Sequence, residues 1–254
     1  MAKIISITNQ KGGVGKTTTA INLSTQISNY CKSVLIVDID PQANSTSGFG
    51  FDKNKITKSI YNVLIDEYSV KQVIQKTIVE WLDLIPSNLD LIGAEVELVN
   101  VLSRESKLKN ALCEITNIYD YIFIDCPPSL GLLTVNALNA SDSVLIPVQC
   151  EYLALEGLAQ LLKTINLVRK QLNPKLELEG VLLTMYDSRT NLSEQVKQEI
   201  IKFFQEKVYK TIIPRNIRLA EAPSFGKPVA FYDKYSKGTK SYEDLAKEFI
   251  TQNF

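Results

Sequence analysis

Gln10-Lys11-Gly12-Gly13-Val14-Gly15-Lys16-Thr17-Thr18 is the stretch that decides the fold of this 254-residue chain. It follows an apolar run (Ile4, Ile5, Ile7) that reads as a buried strand, and it precedes a helical pattern from Thr18 to Ser28. Strand, glycine loop and helix N-terminus together make a phosphate cradle. Glycines let backbone N–H groups crowd an anion, and the helix dipole adds to the attraction. In such a cradle Lys16 reaches the β- and γ-phosphates of a nucleotide, and the Thr17 hydroxyl sits on Mg2+. The common form of the loop has a glycine five residues before Gly15, but Gln10 stands there, with a second lysine, Lys11, beside it.

Outward from this loop, apolar runs alternate with helical periodicity. Strands are expected at 3–8, 33–38, 81–85, 120–125, 143–148, 178–184 and 210–213, most of them near-continuous Val, Ile and Leu. That is the pattern of strands covered on both faces. Helices are expected at 94–114, 152–171 and 191–206, the last opening with Asn191-Leu192-Ser193-Glu194 as N-cap and acid-bearing first turn. The alternation predicts an α/β fold of the P-loop NTPase type. Its doubly wound, mostly parallel sheet is flanked by helices on both faces and takes ligand at the strands' carboxyl ends. Residues 1–254 read as a single domain without linker or repeat. Segment 51–80, the least regular of the first half, reads as a peripheral excursion.

Composition narrows the function. A hydrophobic content of 45% suits a chain with a real core. No apolar run is long enough to span a bilayer, and the N-terminus leads straight into strand and loop, so neither a membrane span nor a signal peptide is expected and the location is cytoplasmic. Cys31, Cys113, Cys126 and Cys150 are widely spaced, which fits reduced thiols rather than a disulfide framework or a cluster site. The absence of histidine removes the usual general base and the commonest metal ligand, leaving carboxylates, lysines and bound Mg2+ to do the chemistry. Charge balances at 28 basic and 28 acidic residues, yet between Asp187 and Lys240 eleven Lys and Arg face six acids. This excess permits a basic face for nucleic acid, and a solvated helix surface explains it almost as well.

Two carboxylate-bearing strand ends complete the constellation: Val37-Asp38-Ile39-Asp40-Pro41-Gln42 and Ile124-Asp125-Cys126-Pro127-Pro128-Ser129. An Asp after a buried strand of a P-loop protein holds Mg2+ through water, and Asp125 fits that role. Asp38, at its strand's end, and Asp40, in the loop beyond, compete for the remaining work near the γ-phosphate. Asp38 touches metal-bound water or caps the loop. The stretches Pro41–Gly50 and Pro127–Leu132 are expected to order around a γ-phosphate and relax once it leaves.

The Lys-Gly-Gly-x-Gly-Lys-Thr loop resembles the deviant P-loop of the ATPases that include ParA, Soj, MinD, the nitrogenase iron protein and the ArsA pump. Further stretches extend the resemblance to the ParA/Soj chromosome-partition ATPases over nearly the whole chain: Pro147–Glu151, Thr184–Asn191, Ile213–Ser224 and Gly226-Lys227-Pro228. The resemblance implies an ATPase that binds ATP and Mg2+ through Lys11, Gly12, Gly13, Val14, Gly15, Lys16, Thr17 and Thr18. Lys11 would cross a dimer interface to the partner's nucleotide, and Asp40 would orient or deprotonate the attacking water. Thr184, Met185, Pro214, Arg215 and Asn216 would border the adenine.

The same resemblance implies a homodimer formed with ATP. Arg189, Arg218 and, more weakly, Lys227 would lie on its surface for non-specific double-stranded DNA, and a ParB-type partner would stimulate hydrolysis and release it from the nucleoid. Elementary electrostatics agrees: a two-fold dimer doubles the cations offered, and affinity rises steeply with the phosphates neutralised. No appended helix-turn-helix is expected, so neither is sequence specificity. The alternative is a MinD-like membrane ATPase of cell division, which needs a basic amphipathic C-terminal helix. The tail Tyr242–Phe254 is acidic and lysine-poor, so docking on the domain is expected instead of membrane attachment. A metabolic or cluster-carrier ATPase would need ligand cysteines or a substrate domain that the sequence lacks.

Overall fold

Successive residues of each central strand enter opposite cores, and this alternation builds the fold. In β1 (Lys3–Ile7), β2 (Val34–Asp38) and β5 (Tyr121–Asp125), the side chains of Ile5, Ile7, Val34, Ile36, Tyr121 and Phe123 join one apolar cluster. Their neighbours Ile4, Leu35, Val37, Ile122 and Ile124 join another on the opposite face. Continuous Val/Ile runs are therefore what a sheet covered on both sides requires. The computed structural model describes residues 1–151 and 154–253, the side chains of 154–156 excepted. Its sheet adds β3 (Gln75–Lys76), β4 (Leu82–Ile85), β6 (Ser143–Gln149) and β7 (Glu177–Thr184) in the order β3-β4-β2-β5-β1-β6-β7. Every pairing is parallel except β3 with β4.

The helices are α1 (Lys16–Ser28), α2 (Asn44–Gly48), α3 (Ile60–Leu64), α4 (Leu91–Glu97), α5 (Lys107–Cys113), α6 (Leu132–Ala140), α7 (Ala154–Gln171), α8 (Asn191–Phe204), α9 (Ile217–Glu221), α10 (Val229–Tyr232) and α11 (Lys237–Gln252). Helix α11 docks on α1 as the tail's composition suggested. Tyr242, Leu245, Ala246 and Phe249 are buried, and the Tyr242 and Thr19 hydroxyls lie 3.1 Å apart. This places α11's apolar face in the core. Among the described residues no helix is long and apolar enough to cross a membrane. Residues 152 and 153 of the expected helix 152–171, and Phe254 of the tail, lie outside the described residues.

Four expectations are corrected. The helix expected over 94–114 is broken between α4 and α5. There Ser103 takes a left-handed backbone (φ 55), and side chains of α6 serve the interrupted chain: Asn136 Nδ2 donates to the Arg104 carbonyl (2.9 Å) and Asn139 Nδ2 to the Glu105 carbonyl (2.8 Å). Residues 210–213 form no strand, because Glu248 of α11 takes the amides of Lys210 and Thr211 at 2.7 and 2.9 Å. Isolated bridges on either side of it, Val181 with Val208 and Tyr186 with Pro214, and the bond from Ile213 N–H to the Leu183 carbonyl (2.9 Å) tie this segment to β7 and its extension. The N-cap of α8 is Thr190, whose hydroxyl accepts from Ser193 N–H. Finally, segment 51–80 contains α3 and the edge strand β3 rather than irregular chain alone.

Candidate functional site at the carboxyl edge of the sheet

The carboxyl ends of β1, β2 and β5 lie side by side. Register pairs Ile7 with Asp125, and Asp125 with Asp38. Two carboxylates read from separate motifs thus become neighbours where the glycine loop leaves β1. Asn9 fixes that exit, donating through Nδ2 to the Pro147 carbonyl (2.8 Å) and accepting through Oδ1 from Lys11 N–H (3.0 Å). The loop then turns into α1 through Gly15, whose φ of 88° lies in the left-handed region that L side chains rarely adopt. Thr184 Oγ1 donates to the Val14 carbonyl (2.8 Å) and so holds the turn against the end of β7. The first turn of α1 carries no acidic residue of its own, and its positive end borders the cavity described below.

Lys16 is 7% exposed, and its ammonium donates to the Lys11 carbonyl at 3.1 Å. Burial lowers its pKa, against the pull of Asp125 and Asp40, which favour the charged form. Lys11 instead reaches away to Glu151, with Nζ 3.3 Å from Oε2. Glu151 also takes Gln149 Nε2 (2.6 Å) and lies 3.6 Å from the Arg215 guanidinium.

Asp125 is fully buried; one oxygen accepts from Ser45 Oγ (2.8 Å), and the other, Oδ1, has no hydrogen-bond partner. Asp38, also fully buried, accepts through Oδ2 from both Thr46 N–H and Thr46 Oγ1 (2.8 Å each), and through Oδ1 from Asp40 N–H (3.2 Å). Burial pushes both pKa values up, and each aspartate's charge hampers ionisation of its neighbours in the cluster. An orphaned carboxylate oxygen in such a cluster, beside the Thr17 hydroxyl, is a donor set suited to a hard divalent cation and its waters. Asp40 is 5% exposed and accepts Gln42 N–H (2.9 Å).

Beside Lys16 and Asp40 lies a cavity of about 260 Å3, lined also by Gly12, Gly13, Thr17 and Asn44 among others. A second, of about 380 Å3, is mostly apolar and lined by Thr18, Thr184, Pro214, Asn216, Leu219 and Tyr242 among others. Gly15, Thr18 and Met185 line both, so the two form neighbouring compartments of one site, one polar and one apolar. Tyr186 N–H to the Ile213 carbonyl (3.1 Å) and Arg215 N–H to the Tyr186 carbonyl (3.0 Å) hold the walls of the apolar compartment together. A broader open depression of about 730 Å3 along α8 carries no comparable convergence of loop, cation and carboxylates.

Of the residues expected at a nucleotide site, Gly12, Gly13, Gly15, Lys16, Thr17, Thr18, Asp40, Thr184, Met185, Pro214, Arg215 and Asn216 line these two compartments, Asp38 and Asp125 are fully buried at the neighbouring strand ends, and Lys11 turns its side chain to Glu151, while the expected DNA contacts stand outside. Arg189 is 85% exposed and makes a two-pronged ion pair with Asp187 (2.9 and 2.7 Å). Arg218 pairs with Glu221 (2.8 Å) and Asp233 (3.2 Å), and Lys227 is exposed. Sequence reasoning missed Ser45, Thr46 and Glu151. The hydroxyl run Ser45-Thr46-Ser47, in a stretch read as loop, was the available signal for the first two; residues 44–48 are in fact helical.

Comparison with known proteins places this geometry. A family profile described as an AAA domain matches residues 2–178. The sporulation initiation inhibitor protein Soj of Bacillus subtilis is 60% identical over 248 residues, covering 98% of both chains. The chromosome partitioning protein ParA of Myxococcus xanthus is 52% identical, covering 100% of this chain and 89% of its own. Among solved structures, cobyrinic acid a,c-diamide synthase from Mycobacterium smegmatis with bound ADP and magnesium superposes with a TM-score of 0.86 at 37% identity, covering 97% of this chain and 93% of that one.

Proposed function

We propose that this protein, which belongs to the ParA/Soj family of chromosome-partitioning ATPases, binds ATP with Mg2+ at the edge of its sheet and uses slow hydrolysis to time its attachment to DNA. The observation that carries the reading is the pair of neighbouring compartments. One is lined by a partly dehydrated lysine, a helix N-terminus and the Asp40 carboxylate; the other is apolar and sized for a base. Phosphates belong in the first and adenine in the second. Lys16 leaves the Lys11 carbonyl to bind the β- and γ-oxygens. Asp125 would hold a metal's waters from the side of its unpartnered oxygen, and Thr17 would supply a hydroxyl ligand; Mg2+, when bound, would supply the positive charge that the phosphates need. Asp40 orients the attacking water and accepts its proton as the β–γ bond breaks.

The dimer and the DNA surface follow the same logic. Among the described residues the Lys11 ammonium is held by a part-exposed ion pair with Glu151, which is weak enough to exchange for a partner's phosphate. Arg189 and Arg218 each face acids within their own chain, so one copy offers DNA little unpaired charge and two copies offer twice as much. A ParB-type partner ends the ATP state. The test is Asp40→Ala: we expect retained ATP binding, accumulation of an ATP-bound dimer on size-exclusion chromatography, and loss of phosphate release. Hydrolysis at the parental rate would remove Asp40 from the reaction.

A further inference from the structure

Residues 44–50 connect the carboxylate cluster to the segment that carries two of the cations assigned to DNA. At the start of α2, Ser45 donates to Asp125 and Thr46 donates to Asp38. Thr46 Oγ1 also accepts Ser87 N–H (2.9 Å), so its hydroxyl is held from two sides. At the other end the chain meets Gly226 backbone to backbone. A Cβ built on Gly226 would stand 2.5 Å from the Gly50 Cα and 3.0 Å from its nitrogen; one built on Gly50 would stand 3.1 Å from the Gly226 carbonyl oxygen. Both glycines have positive φ (+86° and +63°), so each turn needs the conformation as well as the space. Between the two ends, Phe49 is buried in the cluster that also holds Leu219, Ala222 and Val229.

We propose that residues 44–50 act as a connecting rod, with Ser45 and Thr46 as positioning residues, that passes the state of the Asp38–Asp125 cluster through the Gly50–Gly226 contact to residues 222–228. The rod is the short helix α2 followed by the Phe49-Gly50 turn, and its far contact is backbone on backbone, with no flexible side chain to absorb a shift. A small displacement at the cluster must therefore move the Gly226 turn, which lies between Arg218 and Lys227. This gives ATP a route to the DNA surface within one subunit, in addition to dimerisation. The inference rests on the nucleotide reading of the site and deepens it.

The test is hydrogen exchange with mass spectrometry on the full chain, with Mg2+ and either ADP or a non-hydrolysable ATP analogue, and with nucleotide affinity measured on the same samples. Residues 222–228 line neither compartment. We expect peptides covering 44–50 and 222–228 to change protection together, by about tenfold, with one midpoint in a nucleotide titration. In Gly226→Ala we expect nucleotide affinity within about threefold of the parent and a retained response at 44–50, with the response at 222–228 lost. The idea is overturned if 222–228 does not respond in the parent protein, or if it responds equally in folded Gly226→Ala, as simple burial in a dimer would produce. Gly50→Ala probes the same contact from the other side. Should neither variant fold, the parent's midpoints decide: coincidence supports the rod and separation refutes it. Failure of the parent protein to bind DNA would count against the proposed function while leaving the exchange readout intact.

Discussion

Replacing Lys16 with methionine separates its role in binding from its cost in folding. The aliphatic stem is kept and the ammonium removed. In the free protein Lys16 is 7% exposed, and its ammonium donates to the Lys11 carbonyl and is disfavoured by burial strongly enough to lower its pKa. With nucleotide bound it would make charge-assisted bonds to two phosphate oxygens, each contributing about 1.5–3 kcal/mol. Losing about 3–6 kcal/mol raises the Kd by about two to four orders of magnitude. The free protein should melt at the parent's temperature or above it, because the substitution removes a buried charge whose partners did not fully compensate it. The assay is titration with a fluorescent ATP analogue and Mg2+, beside thermal melts without nucleotide. Affinity within threefold of the parent would refute the phosphate role. A large drop in melting temperature would show that the ammonium is structural.

Three further outcomes follow from the same geometry. The folded pKa values of Asp38 and Asp125 are raised above the ordinary 3.8, so the folded state keeps protons that the unfolded chain releases, and stability is lost as pH rises through the raised values. With no histidine to obscure the slope, the nucleotide-free melting temperature should fall from pH 5 to 8 and flatten in Asp38→Asn; a rising curve would contradict this. Phe249→Ala removes a fully buried ring 5.4 Å from Tyr121 and 5.7 Å from Phe123, and should cost about 3–5 kcal/mol in denaturant unfolding. A loss under about 1 kcal/mol would mean that α11 is not part of the core. Arg189→Ala and Arg218→Ala should each weaken DNA binding while leaving ATP-driven dimerisation intact; unchanged affinity would move the basic surface elsewhere.

The features legible in the sequence were those set by local periodicity and chemistry. The strand ends at Asp38 and Asp125 could be read because apolar runs stop there; that the two are neighbours depends on the strand order, which local pattern does not give. Glycine-loop spacing located Lys16 and Thr17. What escaped depends on distant partners. Ser45 finds Asp125 eighty residues away, and Glu248 takes the amides of Lys210 and Thr211 from nearly forty residues on. The gap between α4 and α5 is stabilised by asparagines of α6, a contact that helical propensity in 94–114 cannot reveal. Propensity is a weak prior wherever tertiary hydrogen bonds offer the backbone another partner.

The central claim, a DNA switch set by nucleotide, is tested most directly by binding to random-sequence duplex DNA. Asp40→Ala would hold the ATP state, compared with ADP and with no nucleotide across a salt titration. With Arg189, Arg218 and Lys227 from two copies neutralising about six phosphates, log affinity should fall against log salt with a slope near about −5 in ATP, with binding much weaker in ADP. Equal affinity in every nucleotide state, or no binding in any, would contradict the account.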